Sequence, residues 1–68
     1  MPGMSRRLYS VVAPLVVHRE GFGQRTMKPN EQLWVDMPLG NEWVVVYLDN
    51  VEFLVGRSEF DAATQSNP

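Results

Sequence analysis

The sequence predicts an all-β fold, and three observations carry that prediction. Proline at 14, 29 and 38 and glycine at 21, 23, 40 and 56 interrupt the chain too often for a long helix. The stretches between them are rich in Val, Leu, Tyr, Phe and Trp, side chains that fit a pleated, half-buried surface. Two apolar runs, 43–48 and 51–55, are separated only by Asp49-Asn50, which is the spacing of a tight hairpin.

The elements follow in order. Residues 1–6 read as a loose tail. A first strand is expected at about 7–13 and a second extended arm at 15–19, with Pro14 at the bend because it lacks a backbone donor. Residues 19–25 read as a loop. Lys28-Pro29-Asn30-Glu31 reads as a turn, with proline at its second position and an asparagine that tolerates positive φ at its third. A strand at 32–36 and a turn at Pro38-Leu39-Gly40-Asn41 lead into the hairpin. Beyond it, Ser58 followed by Asp61 predicts an N-capped helical turn at 58–62, with Phe60 plugging one end of the core. A short strand is expected at 62–65 and a tail at 66–68, so a single domain spans 7–65.

The hairpin fixes which side chains share a face. With a two-residue loop, Leu48 lies opposite Val51, Val46 opposite Phe53 and Val44 opposite Val55. That face is wholly apolar and should be core. The other face carries Trp43, Val45, Tyr47, Glu52 and Leu54. An antiparallel sheet normally shows water a more polar second face. Two readings stay open here. Either the chain's own N-terminal segment or the 19–30 loop covers this face, or another molecule does. Left open, Val44-Val45-Val46-Tyr47-Leu48 is an aggregation hazard flanked by the gatekeepers Glu42 and Asp49.

Composition narrows the function classes. The chain has 68 residues, six Lys plus Arg, eight Asp plus Glu and a net charge of −2. A domain this small buries only about 60 % of its unfolded surface, so a partner or self-association is a reasonable expectation. There is no cysteine, hence no disulfide framework, no zinc finger and no thiol nucleophile; a reducing cytoplasm fits. No apolar run approaches the ~20 residues that span a bilayer. The basic start Arg6-Arg7 before an apolar stretch resembles a signal peptide only faintly, because Tyr9, Ser10 and Pro14 interrupt that stretch.

Signals for chemistry are few. His18 is the only histidine and has no second ligand, so neither a metal nor any other cofactor is expected. Gly21-Phe22-Gly23 lacks the third glycine, the helix and the lysine of a phosphate loop and reads as a hairpin tip. The carboxylates Asp36, Glu42, Asp49, Glu52, Glu59 and Asp61 are scattered, as on a solvated surface. The chain is expected not to be an enzyme. Only a symmetric oligomer gathering residues round a central pore would build an active site.

The order of elements resembles an SH3-like small barrel over about residues 8–65. Leu8-Tyr9 resembles that family's first strand, Met27-Lys28-Pro29-Asn30-Glu31-Gln32-Leu33-Trp34-Val35 its diverging turn and second strand, and Trp43 its groove tryptophan. Val55-Gly56-Arg57-Ser58-Glu59-Phe60 resembles the segment with its 3₁₀ turn, and 13–21 resembles the arm of bacterial members. The resemblance implies a five-stranded, partly open barrel. Arg57 stands where the family has a groove proline, and the 19–26 loop is short and mixed in charge where peptide-binding members are acidic. Small barrels host many functions, so the fold does not supply one.

The expected function is protein recognition by a small adaptor or inhibitor, of the kind bacteria, phages and mobile elements carry. Its partner, another protein or a second copy, would be bound through Trp43, Val45, Tyr47 and Leu54, with Tyr9, Trp34 and Phe60 beside them. The alternative is nucleic-acid binding through Arg6, Arg7, Arg19, Arg25, Lys28 and Arg57, six cations on a chain that is acidic overall.

Overall fold

The tight turn at Asp49-Asn50 organises the sheet. Asp49 has φ 52° and Asn50 φ 65°, the paired positive values of a primed turn, and the two are among the residue types that tolerate them best. The register follows as expected: Leu48 pairs with Val51, Val46 with Phe53 and Val44 with Val55. The structure, a computed structural model, describes residues 5–67.

Among the described residues seven strands and one helix form in the order β1 (Ser5–Val11), β2 (Leu15–Arg19), β3 (Gly23–Met27), β4 (Gln32–Met37), β5 (Trp43–Leu48), β6 (Val51–Gly56), α1 (Arg57–Ala63) and β7 (Thr64–Ser66). They make one antiparallel sheet of order β3-β2-β6-β5-β4-β1-β7. This corrects the expected five-stranded barrel: the sheet has seven strands and is open, with β3 and β7 as its edges. Two strands are additional: the extended arm at 15–19 pairs into the sheet as β2, and β3 falls largely in the segment read as a loop. Gln24, Arg25 and Thr26 are polar and exposed, and only Met27 reaches the core, so no apolar alternation marks it. Backbone pairing with β2 makes it a strand, after a turn through Gly21 (φ 81°) and Gly23 (φ 89°).

Inward residues of six strands share one cluster with Phe60 and Ala63 of α1. A flat sheet is one backbone thick, whereas the least extent here is 23 Å, so the sheet curls round its core. Val17, Val35, Val44, Val46 and Val55 have no exposed surface. These are β-branched side chains at alternate positions, which is why the strands bury one face so completely. The helix closes the end of the curl. Phe60 is 1 % exposed, and its ring meets Tyr9 at 4.9 Å between centroids.

Other elements shift by a few residues. The first strand starts at Ser5, and Arg6 pairs with Asp36, so residues 5–6 are not a tail; residues 1–4 lie outside the described ones. At the other end, Ser66 pairs with Tyr9, and the Asn67 amide donates to the Leu8 carbonyl at 3.0 Å. Pro68 of the expected tail lies outside the described residues. The helix is capped by Gly56 and not by Ser58. The Arg57 amide, the first orphan donor of the helix, goes to the Glu42 carbonyl at 2.9 Å, so a side-chain cap is not needed there. A side chain at 56 would collide with the Glu59 carboxylate that packs across it. Asn30 takes φ 80° in the turn before β4, as its position requires. No helix among the described residues is long and apolar enough to cross a membrane.

The turn makes a testable demand. A β-branched residue in left-handed backbone costs about 1–2 kcal/mol. Urea denaturation of Asn50→Val should show a loss of that order, whereas Asn50→Gly should hold or raise stability.

Candidate functional site

Alternation on the sheet carries a second set of side chains outward. The pairings His18 with Leu54, Val45 with Leu54 and Arg6 with Asp36 define one row across five strands. Trp34 pairs with Tyr47 and Val35 with Val46; the same register, carried one residue further, puts Asp36 beside Val45. The row therefore reads His18, Leu54, Val45, Asp36, Arg6. Toward one end lie Glu52, Tyr47, Trp34 and Leu8, and toward the other lie Val16, Gly56 and Trp43.

The described residues leave much of this face open. Trp43 is 55 % exposed, Trp34 49 % and Leu54 39 %, while Val45 and Tyr47 are half-buried by their neighbours. Among the described residues, neither β1 nor the 19–30 segment covers Trp43, Trp34 or Leu54. Two expected contact residues lie elsewhere. Phe60 is sealed in the core, and Tyr9 faces inward against it, because the antiparallel partner of Tyr9 is the buried Leu33. Neither belongs to the outer face.

The face also has a polar cluster that the sequence reading passed over. The Tyr47 hydroxyl donates to Asp36 Oδ2 at 3.1 Å. The Arg6 guanidinium lies over the Tyr47 ring, 3.7 Å from its centroid, and Arg6 Nε is 3.6 Å from Asp36 Oδ1. Asp36 Oδ1 is buried and accepts no hydrogen bond from the described residues. The signal was available: Asp36 stands two residues from Trp34 on the same strand and so shares its face. At the tip of the β2–β3 hairpin, Phe22 is 72 % exposed with the Arg19 guanidinium 4.0 Å over its ring. Between that hairpin and the sheet runs an open groove of about 560 Å³ floored by Leu54 and Trp43.

Four of the six cations named for nucleic acid are engaged within the chain. The segment that carries Arg19 and Arg25 is the end of β2, a turn and β3. Arg25 Nη2 is 3.9 Å from Glu31. Arg57 Nε bonds both oxygens of Asp61 at 3.0 and 3.1 Å, and its Nη1 donates to the Gly40 carbonyl at 2.9 Å, so this side chain ties α1 to the loop before β5. Arg6 and Arg19 are engaged as described above. Arg7 and Lys28 are exposed, on β1 and in the turn before β4. Among the described residues no three His, Asp or Glu side chains gather as metal ligands would. Compared with known proteins, the chain matches no family model, no curated protein and no solved structure.

Partial burial of its ring raises the Tyr47 phenol above its ordinary value, and the hydrogen bond and negative charge of Asp36 add to that shift. The folded state thus favours the neutral phenol. Its contribution is whole below the ordinary tyrosine range near ~10 and is lost as pH rises through the raised value. Denaturation of wild type and Tyr47→Phe across pH 8–11.5 should show the stability difference between them shrinking at the alkaline end.

Proposed function

We propose that this protein is a non-catalytic protein-interaction module, an adaptor or inhibitor that docks a partner protein through the outer face of β4, β5 and β6. The observation that carries the proposal is the exposure of Trp43, Trp34 and Leu54 on one regular sheet face whose opposite side carries the core. Folding does not require these rings outside. Together they offer on the order of 300 Å² of apolar surface. Covering it contributes roughly 7 kcal/mol gross at ~25 cal/mol per Å², the scale that offsets a large part of the ~4–15 kcal/mol cost of association. Tryptophan, tyrosine and arginine are the side chains most often found where binding energy concentrates, and Trp43, Tyr47 and Arg6 share this face.

The architecture supports reading the chain as SH3-like. A first strand, an arm folded into a hairpin, a turn at Lys28–Glu31, a central hairpin, a helical segment and a last strand come in the order that resemblance implies. The absence of cysteine favours the reducing cytoplasm for this role.

Affinity capture from the native host tests the proposal. The baits are wild type, Trp43→Ala, Leu54→Ser and Val12→Ser; Val12 is exposed beside Ala63, away from this face. A partner protein should be retained by wild type and Val12→Ser and lost with the other two, while all four keep the wild-type circular dichroism. Retention by both Trp43→Ala and Leu54→Ser, or unfolding of both, overturns the assignment of this face.

A further inference from the structure

We propose that the polar groove beside the Asp49-Asn50 turn binds a neutral oligosaccharide, with the Trp34 indole as its platform and Gln32, Asp49 and Asn50 as its hydrogen-bonding arms. The inference goes beyond the docking role and does not rest on it.

Register brings these residues together. Trp34 pairs with Tyr47, and the same register carried two residues on sets Gln32 beside Asp49, where β5 enters the turn. Gln32 and Trp34 are two apart on β4 and so share a side of the sheet. Gln32, Asp49 and Asn50 are exposed, and Trp34 is half-exposed. β3 reaches the same end of the molecule, where Arg25 meets Glu31. Between these side chains lies an open groove of about 530 Å³. Sites for small molecules commonly enclose ~300–1,000 Å³ and combine an apolar surface with a few convergent polar groups.

The free polar groups select the ligand. Among the described residues the side chains of Gln32, Asp49 and Asn50 make no hydrogen bond within the chain. The two amides both donate and accept, and the carboxylate only accepts. Their complement is a ligand that donates and accepts at several adjacent points, as neighbouring hydroxyls do. The face of an indole is electron-rich, so the weakly positive C–H bonds on the face of a sugar ring pack against it. A ring with equatorial hydroxyls keeps both features: its faces carry C–H bonds, and its hydroxyls radiate in the ring plane. Glucose and N-acetylglucosamine units have this form.

Charge sets the other ligand classes aside. Glu31 Oε1 accepts from the Lys28 amide at 2.8 Å, and Oε2 lies 3.9 Å from Arg25 Nη2. That pair cancels, which leaves the Asp49 carboxylate as the net charge of the groove. A nucleotide phosphate would meet this carboxylate with no uncommitted cation to offset it. An ammonium ligand wants its charge over open aromatic faces. Here Arg6 already lies 3.7 Å over the Tyr47 ring, so Trp34 alone is open to one.

An open groove leaves part of its guest in water, so dissociation is expected on the order of 1 mM. The test follows amide and indole chemical shifts of the isotope-labelled protein as cellotriose, chitotriose or maltotriose is added to about 20 mM, with glycerol as control. At least one trisaccharide should shift residues 32, 34, 49 and 50 saturably, and glycerol should not. Trp34→Ala, Gln32→Ala and Asp49→Asn should each weaken that binding roughly fivefold or more, since each removes one contact of the site. Trp43→Ala should leave it unchanged. Asparagine tolerates positive φ as aspartate does, so Asp49→Asn keeps the turn. Shifts that stay linear for all three sugars overturn the inference, as does binding indifferent to both Trp34→Ala and Asp49→Asn. Tighter binding of oligothymidylate or trilysine at the same residues also overturns it. None of these failures touches capture of a protein through Trp43 and Leu54, which tests the docking role separately.

Discussion

The two residues of the Asp49-Asn50 turn are the constraint on which the structure depends. Their positive φ values close the hairpin with Leu48 against Val51. Side chains alternate along a strand, so a slip of one residue would exchange the faces. Val44, Val46 and Val55 would turn to water, and Trp43, Val45 and Tyr47 would turn into a core with no room for them. Because β4 and β2 pair with this hairpin, their registers inherit the same choice. The fold and the outer face are two results of one turn.

A core lined mainly by valine and leucine leaves a seven-stranded sheet two needs. The curl must be closed at its end, and Phe60 on a helix of seven residues does this. The helix is held to the sheet by Arg57, which spans Asp61 and the Gly40 carbonyl. The open edges must also resist pairing with other chains. β3 meets this need with polar, exposed side chains and a charge at Arg25, and β7 by being three residues long. The outer face received no such protection. Its tryptophans and Leu54 stand open on the sheet.

Legibility in the sequence followed the strength of local signals. The central hairpin, most of its core face, the turn at Asn30 and the strand at 32–36 were readable because apolar alternation and turn chemistry coincide there. β3 was not, because Gly23 to Thr26 carry no alternation and the strand exists through long-range pairing with β2. Ser58 misled because a capping side chain and a helix residue look alike in sequence; the Glu42 carbonyl that replaces the cap comes from another part of the chain. Tyr9 and Phe60 were placed on the contact surface by residue type alone, and parity against Leu33 and the closing of the curl put them inside. Trp43, Tyr47 and Leu54 came from parity within one hairpin and stand where parity put them. Arg6, Asp36 and His18 required pairings between strands far apart in sequence.

The central claim is that the outer face is open in the lone folded chain. Collisional quenching of Trp43 fluorescence by acrylamide, in a dilute Trp34→Phe background, measures this directly. The account predicts an indole readily quenched by acrylamide while circular dichroism shows a folded sheet. An indole shielded from quencher in the folded monomer would contradict it.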